Sequence, residues 1–98
     1  MSQVLESSIE REACRQIFQR LGVRSKKLTS GGERAYPDRA FWIPGGRVAF
    51  CEFKRPGEVA SPLQAHNHEM LRALGFRVEV HDTVAGAFEF VRRVLKSV

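Results

Sequence analysis

The sequence predicts an α/β fold, a small mixed β-sheet flanked by helices in the order α-β-β-α-β-α. Apolar residues recur at helical spacing near both ends of the chain. Between them, two short apolar runs flank Pro44-Gly45-Gly46, which is typical of a hairpin turn. A further helical segment then leads to an alternating strand, and such a connection usually makes a crossover. The sheet should therefore combine an antiparallel hairpin with a strand that is reached through a helix.

The first helix is predicted from about Ser8 to Leu21. Its apolar positions share one helical face and are Ile9, Ala13, Ile17 and Leu21. Ser7 and Glu10 fit a capping box at its start, and Gly22 suits its end. The following residues, 23–36, are polar and basic and contain glycine, so we expect a loop there.

The two strands of the hairpin are predicted at residues 39–43 and 47–53. The helix that follows should have Ser61 as its N-cap and Pro62 at its first position. Gly75 suits the end of this helix.

The last two elements are a strand and a helix. Residues 76–81 alternate apolar and polar side chains, as a half-buried strand does. Asp82 can cap a helix that runs to about Lys96. The apolar face of this helix consists of Val84, Ala87, Phe88, Val91 and Leu95.

Composition limits the class of protein. A chain of 98 residues can bury one modest core, so we expect residues 1–98 to form a single domain. No apolar run is long enough to span a bilayer and the first residues lack a signal-peptide pattern, which favours a cytoplasmic protein. The formal net charge of +5 suits a polyanionic partner. Cys14 and Cys51 lie in apolar patterns outside any C-x-x-C pair, so we expect two reduced, buried thiols.

Two charged residues interrupt the second strand of the hairpin. Glu52 and Lys54 are two positions apart, so they point to the same sheet face as Val48 and Phe50. Charges on an apolar strand are costly unless they are paired or used in function.

Asp38 should lie close to Glu52. If the turn centres on Gly45, paired residues have numbers that sum to about ninety, which places Asp38 opposite Glu52. Opposed side chains are roughly 5 Å apart at Cβ, and two carboxylates so placed repel each other. A hard divalent cation such as Mg²⁺ between them would remove the repulsion.

Each of these charges also has an ordinary structural explanation. Glu52 and Lys54 could form a surface salt bridge, and Asp38 could be a turn residue. The combination instead favours a phosphoryl-transfer site, in which Lys54 orients water or stabilises charge on the phosphoryl group.

Pro37-Asp38 and Glu52-Phe53-Lys54 reproduce the PD…(D/E)-x-K pattern of a nuclease superfamily. From residue 6 to about residue 90, the chain resembles a VRR-NUC domain, the virus-type replication-repair nuclease family. The matching segments are Tyr36-Pro37-Asp38-Arg39, Gly45-Gly46-Arg47, Glu52-Phe53-Lys54-Arg55-Pro56-Gly57, Ser61-Pro62-Leu63-Gln64 and Leu74-Gly75-Phe76. The bare superfamily pattern has many chance matches, whereas the E-x-K-x-P-G continuation and the later glutamine are more specific.

The resemblance implies a restriction-endonuclease-like core and a metal-dependent endonuclease that hydrolyses phosphodiester bonds. Asp38 and Glu52 would bind Mg²⁺ or Mn²⁺, and the backbone carbonyl of Phe53 can add a ligand. Lys54 would position or activate the attacking water, and Gln64 would support the site.

A glutamate of the first helix usually completes the acidic cluster in this family; Glu10 is our choice and Glu6 the alternative. From the residues alone, Glu10 either closes the capping box or reaches inward from the core-facing side of the helix. Gln64 likewise fits a capping box with Ser61, and both of its roles are compatible. One departure concerns Ala35, which stands where the family often has glycine and puts the loop geometry in question.

Basic residues around Asp38 are expected to contact phosphates, with a solvated basic loop as the alternative. They are Lys26, Lys27, Arg34 and Arg39. His66 and His68 are two apart on a helix and do not face each other, so we expect surface histidines and no zinc site. His81, at the end of a strand, is also expected to be solvated.

Stand-alone members of the family resemble Holliday-junction resolvases. The resemblance thus implies a homodimer that acts on branched DNA in DNA repair, from a phage or bacterial source. Two other functions stay open: a non-catalytic nucleic-acid-binding module with the same fold, and a nuclease acting on RNA or unbranched DNA.

Overall fold

The structure, a computed structural model, describes residues 5–28 and 35–97. Within those ranges, three helices and four strands follow one another along the chain. They are α1 (Glu6–Leu21), β1 (Ser25–Lys27), β2 (Arg39–Ile43), β3 (Arg47–Phe53), α2 (Pro62–Ala73), β4 (Arg77–His81) and α3 (Val84–Lys96).

The strands form one mixed sheet in the order β1-β2-β3-β4. β2 pairs antiparallel with both β1 and β3, whereas β3 pairs in parallel with β4 through the α2 crossover. The predicted α/β class and element order are confirmed, and β1 is a short additional strand. The loop predicted at residues 23–36 is therefore wrong at 25–27, and residues 29–34 lie outside the described residues. β1 was missed because an edge strand with exposed side chains needs no apolar alternation.

The hairpin has the predicted register. Arg39 pairs with Cys51 and Ile43 pairs with Arg47, so the numbers of paired residues sum to ninety. Asp38 directly precedes β2, and extending the register by one position places it opposite Glu52.

The two faces of the sheet have different neighbours. Ala49, Cys51 and Phe53 are fully buried in a core cluster with residues of α1 and α3. Side chains alternate along a strand, so Glu52 points to the opposite face. There it meets Gln64 of α2, so α2 lies on the side of the sheet away from α1 and α3.

The start of α2 follows its prediction and the start of α1 does not. The Ser61 hydroxyl accepts a hydrogen bond from the Gln64 amide, and the Gln64 side chain accepts one from the Ser61 amide. α1 begins at Glu6 with Leu5 as its N-cap and no side-chain cap bond, so the predicted capping box at its start is wrong. Ser7, the predicted cap, lies inside the helix.

The cap of α3 is Thr83, one residue later than predicted. Its hydroxyl accepts a hydrogen bond from the Gly86 amide. The carboxylate of Asp82 instead accepts a bond of 2.8 Å from the amide of Gly57. Asp82 therefore ties the loop after β3 to the start of α3, and its prediction as the helix cap is wrong.

Both cysteines are free thiols. Cys51 is fully buried, as predicted, and burial raises the pKa of its thiol well above the usual range. Cys14 is half-buried against the same core, so the prediction of burial holds for it only in part. Across the described ranges, no helix has the length and apolar character needed to cross a membrane.

Ala35 has a positive backbone φ of 71° and leads into Tyr36-Pro37-Asp38. The left-handed region costs a residue with a Cβ atom roughly 1–2 kcal/mol, and glycine adopts it freely. This conformation gives a physical reason why a glycine would suit the position.

Replacing Ala35 with glycine should raise the free energy of unfolding by roughly 0.5–1 kcal/mol, because relief of the left-handed conformation outweighs the added freedom of the unfolded chain. Urea denaturation measures the change. The same substitution at Ala65, which is exposed within α2, is the control and should instead lower stability by about 1 kcal/mol. An equal loss at both positions would contradict the strain at Ala35.

Candidate active site

Asp38 and Glu52 meet where the hairpin strands open. Asp38 Oδ2 accepts a hydrogen bond of 2.7 Å from the backbone N–H of Phe53, which holds Asp38 against the end of β3. Glu52 is 2% exposed. The side chain of Phe53 is fully buried in the core, so the backbone that receives Asp38 is itself well anchored.

Glu52 is a carboxylate in an unfavourable place for a charge. Burial, followed by the negative charge of Asp38, raises its pKa from the ordinary 4.5 to about 8, although Lys54 acts in the opposite direction. The Lys54 Nζ lies 4.0 Å from Glu52 Oε2. Glu6, at the start of α1, adds further negative charge that raises this pKa.

The two oxygens of Glu52 differ in their partners. Oε2 accepts a hydrogen bond of 3.3 Å from the Gln64 side-chain amide. Oε1 is buried and has no hydrogen-bond partner among the described residues. Leaving such an atom unpaired costs about 1–3 kcal/mol, so the site suits a positively charged ligand.

The carboxylates fit an open cation site better than a closed protein cage. Within residues 5–28 and 35–97, no three His, Cys, Asp or Glu side chains are arranged to hold a metal ion. Asp38 and Glu52 would thus supply two carboxylates and leave the other coordination positions to backbone, water or substrate. Mg²⁺ is usually bound in this way, by one or two carboxylates together with waters and phosphate oxygens.

Glu10 lies in a separate ion-pair cluster. It is 4% exposed, and Lys27 Nζ lies 2.9 Å from each of its oxygens. Arg39 Nε donates a further hydrogen bond of 2.7 Å. The cluster joins α1 to β1 and β2, and both oxygens of Glu10 are already engaged. Of the two candidate glutamates, Glu6 is the one whose charge raises the pKa of Glu52, but among the described residues Asp38, Glu52 and Glu6 do not form a three-carboxylate metal cluster.

His68 is part of this site, which the sequence analysis missed. It is 1% exposed, and its Nε2 lies 3.8 Å from Glu52 Oε1. The prediction of a surface histidine is therefore wrong for His68, whereas His66 is exposed as predicted. The available signal was the four-residue spacing from Gln64, which places both side chains on one helical face. Burial is the first of the causes that lower the pKa of His68.

His81 also differs from its prediction. It is half-buried, its Nε2 lies 2.7 Å from Glu79, and its ring lies against Phe90. The side chain of His81 thus contacts Phe90 of α3 and Glu79 of its own strand, so the prediction of a solvated histidine is wrong.

The predicted phosphate-contacting residues divide between the two faces of the sheet. Lys27 pairs with Arg39 across β1 and β2, and both side chains reach Glu10 on the α1 side. Lys26 points the other way, to the sheet face that carries Glu52, and it is exposed. Arg34 lies outside the described residues.

Comparison with known proteins bears on this arrangement. The chain is 37% identical over 83 residues to "Putative nuclease p44" of Acyrthosiphon pisum secondary endosymbiont phage 1, a match that covers 85% of this chain and 88% of the phage protein. A solved VRR_NUC domain superposes with a TM-score of 0.76 at 26% identity, covering 89% of this chain and 94% of the other. No protein-family model matches the sequence.

The fold, the opposed carboxylates and the phage relative together define a nuclease. More narrowly, the chain belongs to the VRR-NUC family, within the PD-(D/E)XK nuclease superfamily.

The unfolding of the cation-free protein should depend on pH through Glu52. Its pKa is about 8 in the folded protein and near 4.5 in the unfolded chain, so between these values the folded state holds the proton. Protonation of Glu52 stabilises the folded state relative to its ionised form. This contribution to the free energy of unfolding is fully present below about pH 4 and is lost as the pH rises through 8, at no more than about 1.4 kcal/mol per pH unit.

Urea denaturation in EDTA between pH 5 and pH 8.5 measures this slope, in which we expect stability to fall as pH rises. Glu52→Gln should remove most of it. Glu89→Gln, at an exposed glutamate of α3 that pairs with Arg92, is the control and should keep it. A slope that persists unchanged in Glu52→Gln would assign the dependence to other groups.

Proposed function

We propose that this nuclease is a Mg²⁺-dependent endonuclease that hydrolyses phosphodiester bonds in branched DNA, as Holliday-junction resolvases do. The observation that carries the proposal is the pairing of the half-buried Asp38 with the buried Glu52, which has Lys54 beside it and one oxygen without a hydrogen-bond partner among the described residues. Two carboxylates so placed destabilise a fold unless a cation or a proton relieves their repulsion, and the unpaired oxygen of Glu52 favours a cation, so the pair argues for a catalytic role.

Asp38 and Glu52 would hold the divalent cation, Mg²⁺ or Mn²⁺, with the Phe53 carbonyl as a backbone ligand. Lys27 and Arg39 occupy Glu10, our first choice for the glutamate of α1, so Glu6 would take its place and act on the site through its charge rather than as a third carboxylate ligand. A bound cation would neutralise charge on the scissile phosphate and make a nearby water more acidic.

Besides the bound cation, the ammonium group of Lys54 would supply a positive charge at the reacting phosphate. Its side chain is 13% exposed, and its backbone N–H donates a hydrogen bond of 3.0 Å to the His81 carbonyl. The residue is thus held at the end of β3, where its ammonium group can position the attacking water or stabilise charge on the phosphate. Attack at phosphorus breaks the bond to the 3′ oxygen and leaves a 5′-phosphate and a 3′-hydroxyl.

Gln64 supports the site through both ends of its amide. Its oxygen accepts from the Ser61 amide at the start of α2, and its nitrogen donates to Glu52. The capping role and the site role therefore belong to one side chain, which fixes the start of α2 relative to β3.

DNA would approach the sheet face that carries Glu52. Lys26 is exposed on this face, and the chain has a formal net charge of +5, which favours a polyanion. Lys27 and Arg39 would add contacts at the edge, although Glu10 neutralises part of their charge. Such phosphate contacts position a duplex without reading its sequence.

A two-fold homodimer would give this small protein two active sites. One subunit of 98 residues offers little surface for branched DNA. C₂ dimers are the commonest oligomers, and a two-fold axis matches the symmetry of a four-way junction. Sedimentation should then give twice the monomer mass of 11.1 kDa.

A labelled four-way DNA junction should be cut in Mg²⁺ and left intact in EDTA, with paired symmetric nicks if a dimer acts. Asp38→Asn should lower the rate at least roughly 100-fold, because the cation that would neutralise charge on the phosphate in the transition state loses a carboxylate ligand. Denaturing gel electrophoresis measures the rates, and the exposed Glu89→Gln is the matched control that should cut as the unaltered protein does.

A linear duplex and an RNA junction of matched sequence test the substrate. Equal cutting of junction and duplex would reject the proposed preference for branched DNA, whereas the proposed phosphodiester hydrolysis would stand. Preferential cutting of the RNA junction would show that the substrate is RNA and not DNA. Tight binding without cutting in any metal would leave a non-catalytic nucleic-acid-binding module.

Lys26→Ala should weaken DNA binding about equally for all sequences and reduce the slope of log affinity against log salt by about 1, since one phosphate contact is lost. Fluorescence anisotropy with Asp38→Asn as the background measures binding without cleavage. Arg92→Ala on α3 is the comparison, because this arginine is paired with Glu89 and lies on another element. An equal change in both variants would mean that DNA does not approach the Glu52 face.

A further inference from the structure

His68 is a buried histidine whose Nε2 has no hydrogen-bond partner within residues 5–28 and 35–97. It lies on α2 one turn after Gln64 and is 1% exposed. Its Nε2 and the Oε1 of Glu52 are 3.8 Å apart, and both are buried atoms without a hydrogen bond among the described residues. Two such atoms facing each other are unlike ordinary core packing, where buried polar groups are paired.

One helix thus faces both oxygens of a single carboxylate. Gln64 donates to Oε2 at 3.3 Å, and His68 faces Oε1. The four-residue spacing places the two side chains on the same side of α2. The Nζ of Lys54 lies 4.0 Å from Oε2, whereas the Nε2 of His68 lies 3.8 Å from Oε1.

We propose that His68 is a positioning residue for the nuclease reaction: its Nε2–H holds Oε1 of Glu52 and, together with Gln64, fixes the plane in which that carboxylate meets the cation. The inference rests on the proposed function, because a fixed carboxylate plane matters only if Glu52 is a ligand.

The separation of 3.8 Å is longer than a hydrogen bond, and a movement of less than about 1 Å would close it. Hydrogen bonds in active sites are often long before the ligands are in place and tighten afterwards. An outer partner of this kind typically changes metal affinity or activity by roughly 10–100-fold when it is removed. A histidine kept only for packing would gain nothing from facing a carboxylate.

The test compares three variants of the full chain. His68→Met fills a similar volume without a donor, His68→Gln restores a donor, and His66→Met changes an exposed histidine of the same helix. Mn²⁺ binding, followed by electron paramagnetic resonance, is measured separately from kcat and KM on the DNA junction. Thermal unfolding shows that each variant is folded.

We expect His68→Met to remain folded, to bind Mn²⁺ about 10–100-fold more weakly and to lose a similar factor in kcat with little change in KM for DNA. His68→Gln should recover part of both losses. If His68→Met does not fold, His68→Gln is compared with the unaltered protein instead. His66→Met should match the unaltered protein throughout.

Mn²⁺ binding and kcat that are unchanged in His68→Met would overturn the inference and make His68 a packing residue. Loss of binding as complete as in Asp38→Asn would also overturn it, since His68 would then be a ligand itself. If the unaltered protein neither binds Mn²⁺ nor cuts DNA, the proposed function fails and the inference about His68 fails with it.

Discussion

Electrostatic repulsion between Asp38 and Glu52 is the constraint on which the rest of the site depends. The hairpin register opposes the two residues, and the core on the other face prevents the strand from shifting. A slip of one residue would move Glu52 into the apolar cluster and expose Cys51 and Phe53 to the α2 side. Apolar burial elsewhere in the fold therefore keeps Glu52 beside Asp38, although its raised pKa shows that ionising it there is costly. Strain at a functional site is usually maintained in this way.

The helices on the two faces of the sheet have different roles. α1 and α3 supply the apolar layer behind β3, while α2 brings polar side chains to Glu52. Gln64 links these functions because the same amide caps α2 and contacts Glu52. The position of the helix and the orientation of the carboxylate are thus coupled through one residue.

A second acidic residue shows how the environment separates two similar side chains. Glu10 is as deeply buried as Glu52, yet Lys27 and Arg39 surround it, and the cluster ties the edge strand β1 to α1. Glu52 has one cationic neighbour, Lys54, at 4.0 Å, a hydrogen bond from Gln64, and one oxygen without a hydrogen-bond partner among the described residues. Complete pairing is consistent with a structural role for Glu10, and incomplete pairing with a site that receives a ligand at Glu52.

The features that the sequence determined by itself are local ones. The hairpin turn at Gly45-Gly46 sets the register, and the register brings Asp38 opposite Glu52 within a short stretch of chain. The capping box of α2 and the crossover to β4 are also local patterns, in which neighbouring residues carry all the information. The roles of these residues in catalysis stay predictions from the family resemblance and the chemistry of the site.

Only the tertiary structure decided which distant groups meet. Glu10 forms ion pairs with Lys27 and Arg39, which are 17 and 29 residues away. No local sequence pattern tells whether Glu10 makes these ion pairs or closes a capping box. The burial of His68 depends on how α2 lies against β3, and the polar strand β1 is recognisable only by its pairing with β2. The physical reason is the same in each case: these contacts follow from packing between elements, whereas turns and caps follow from the backbone geometry of a few consecutive residues.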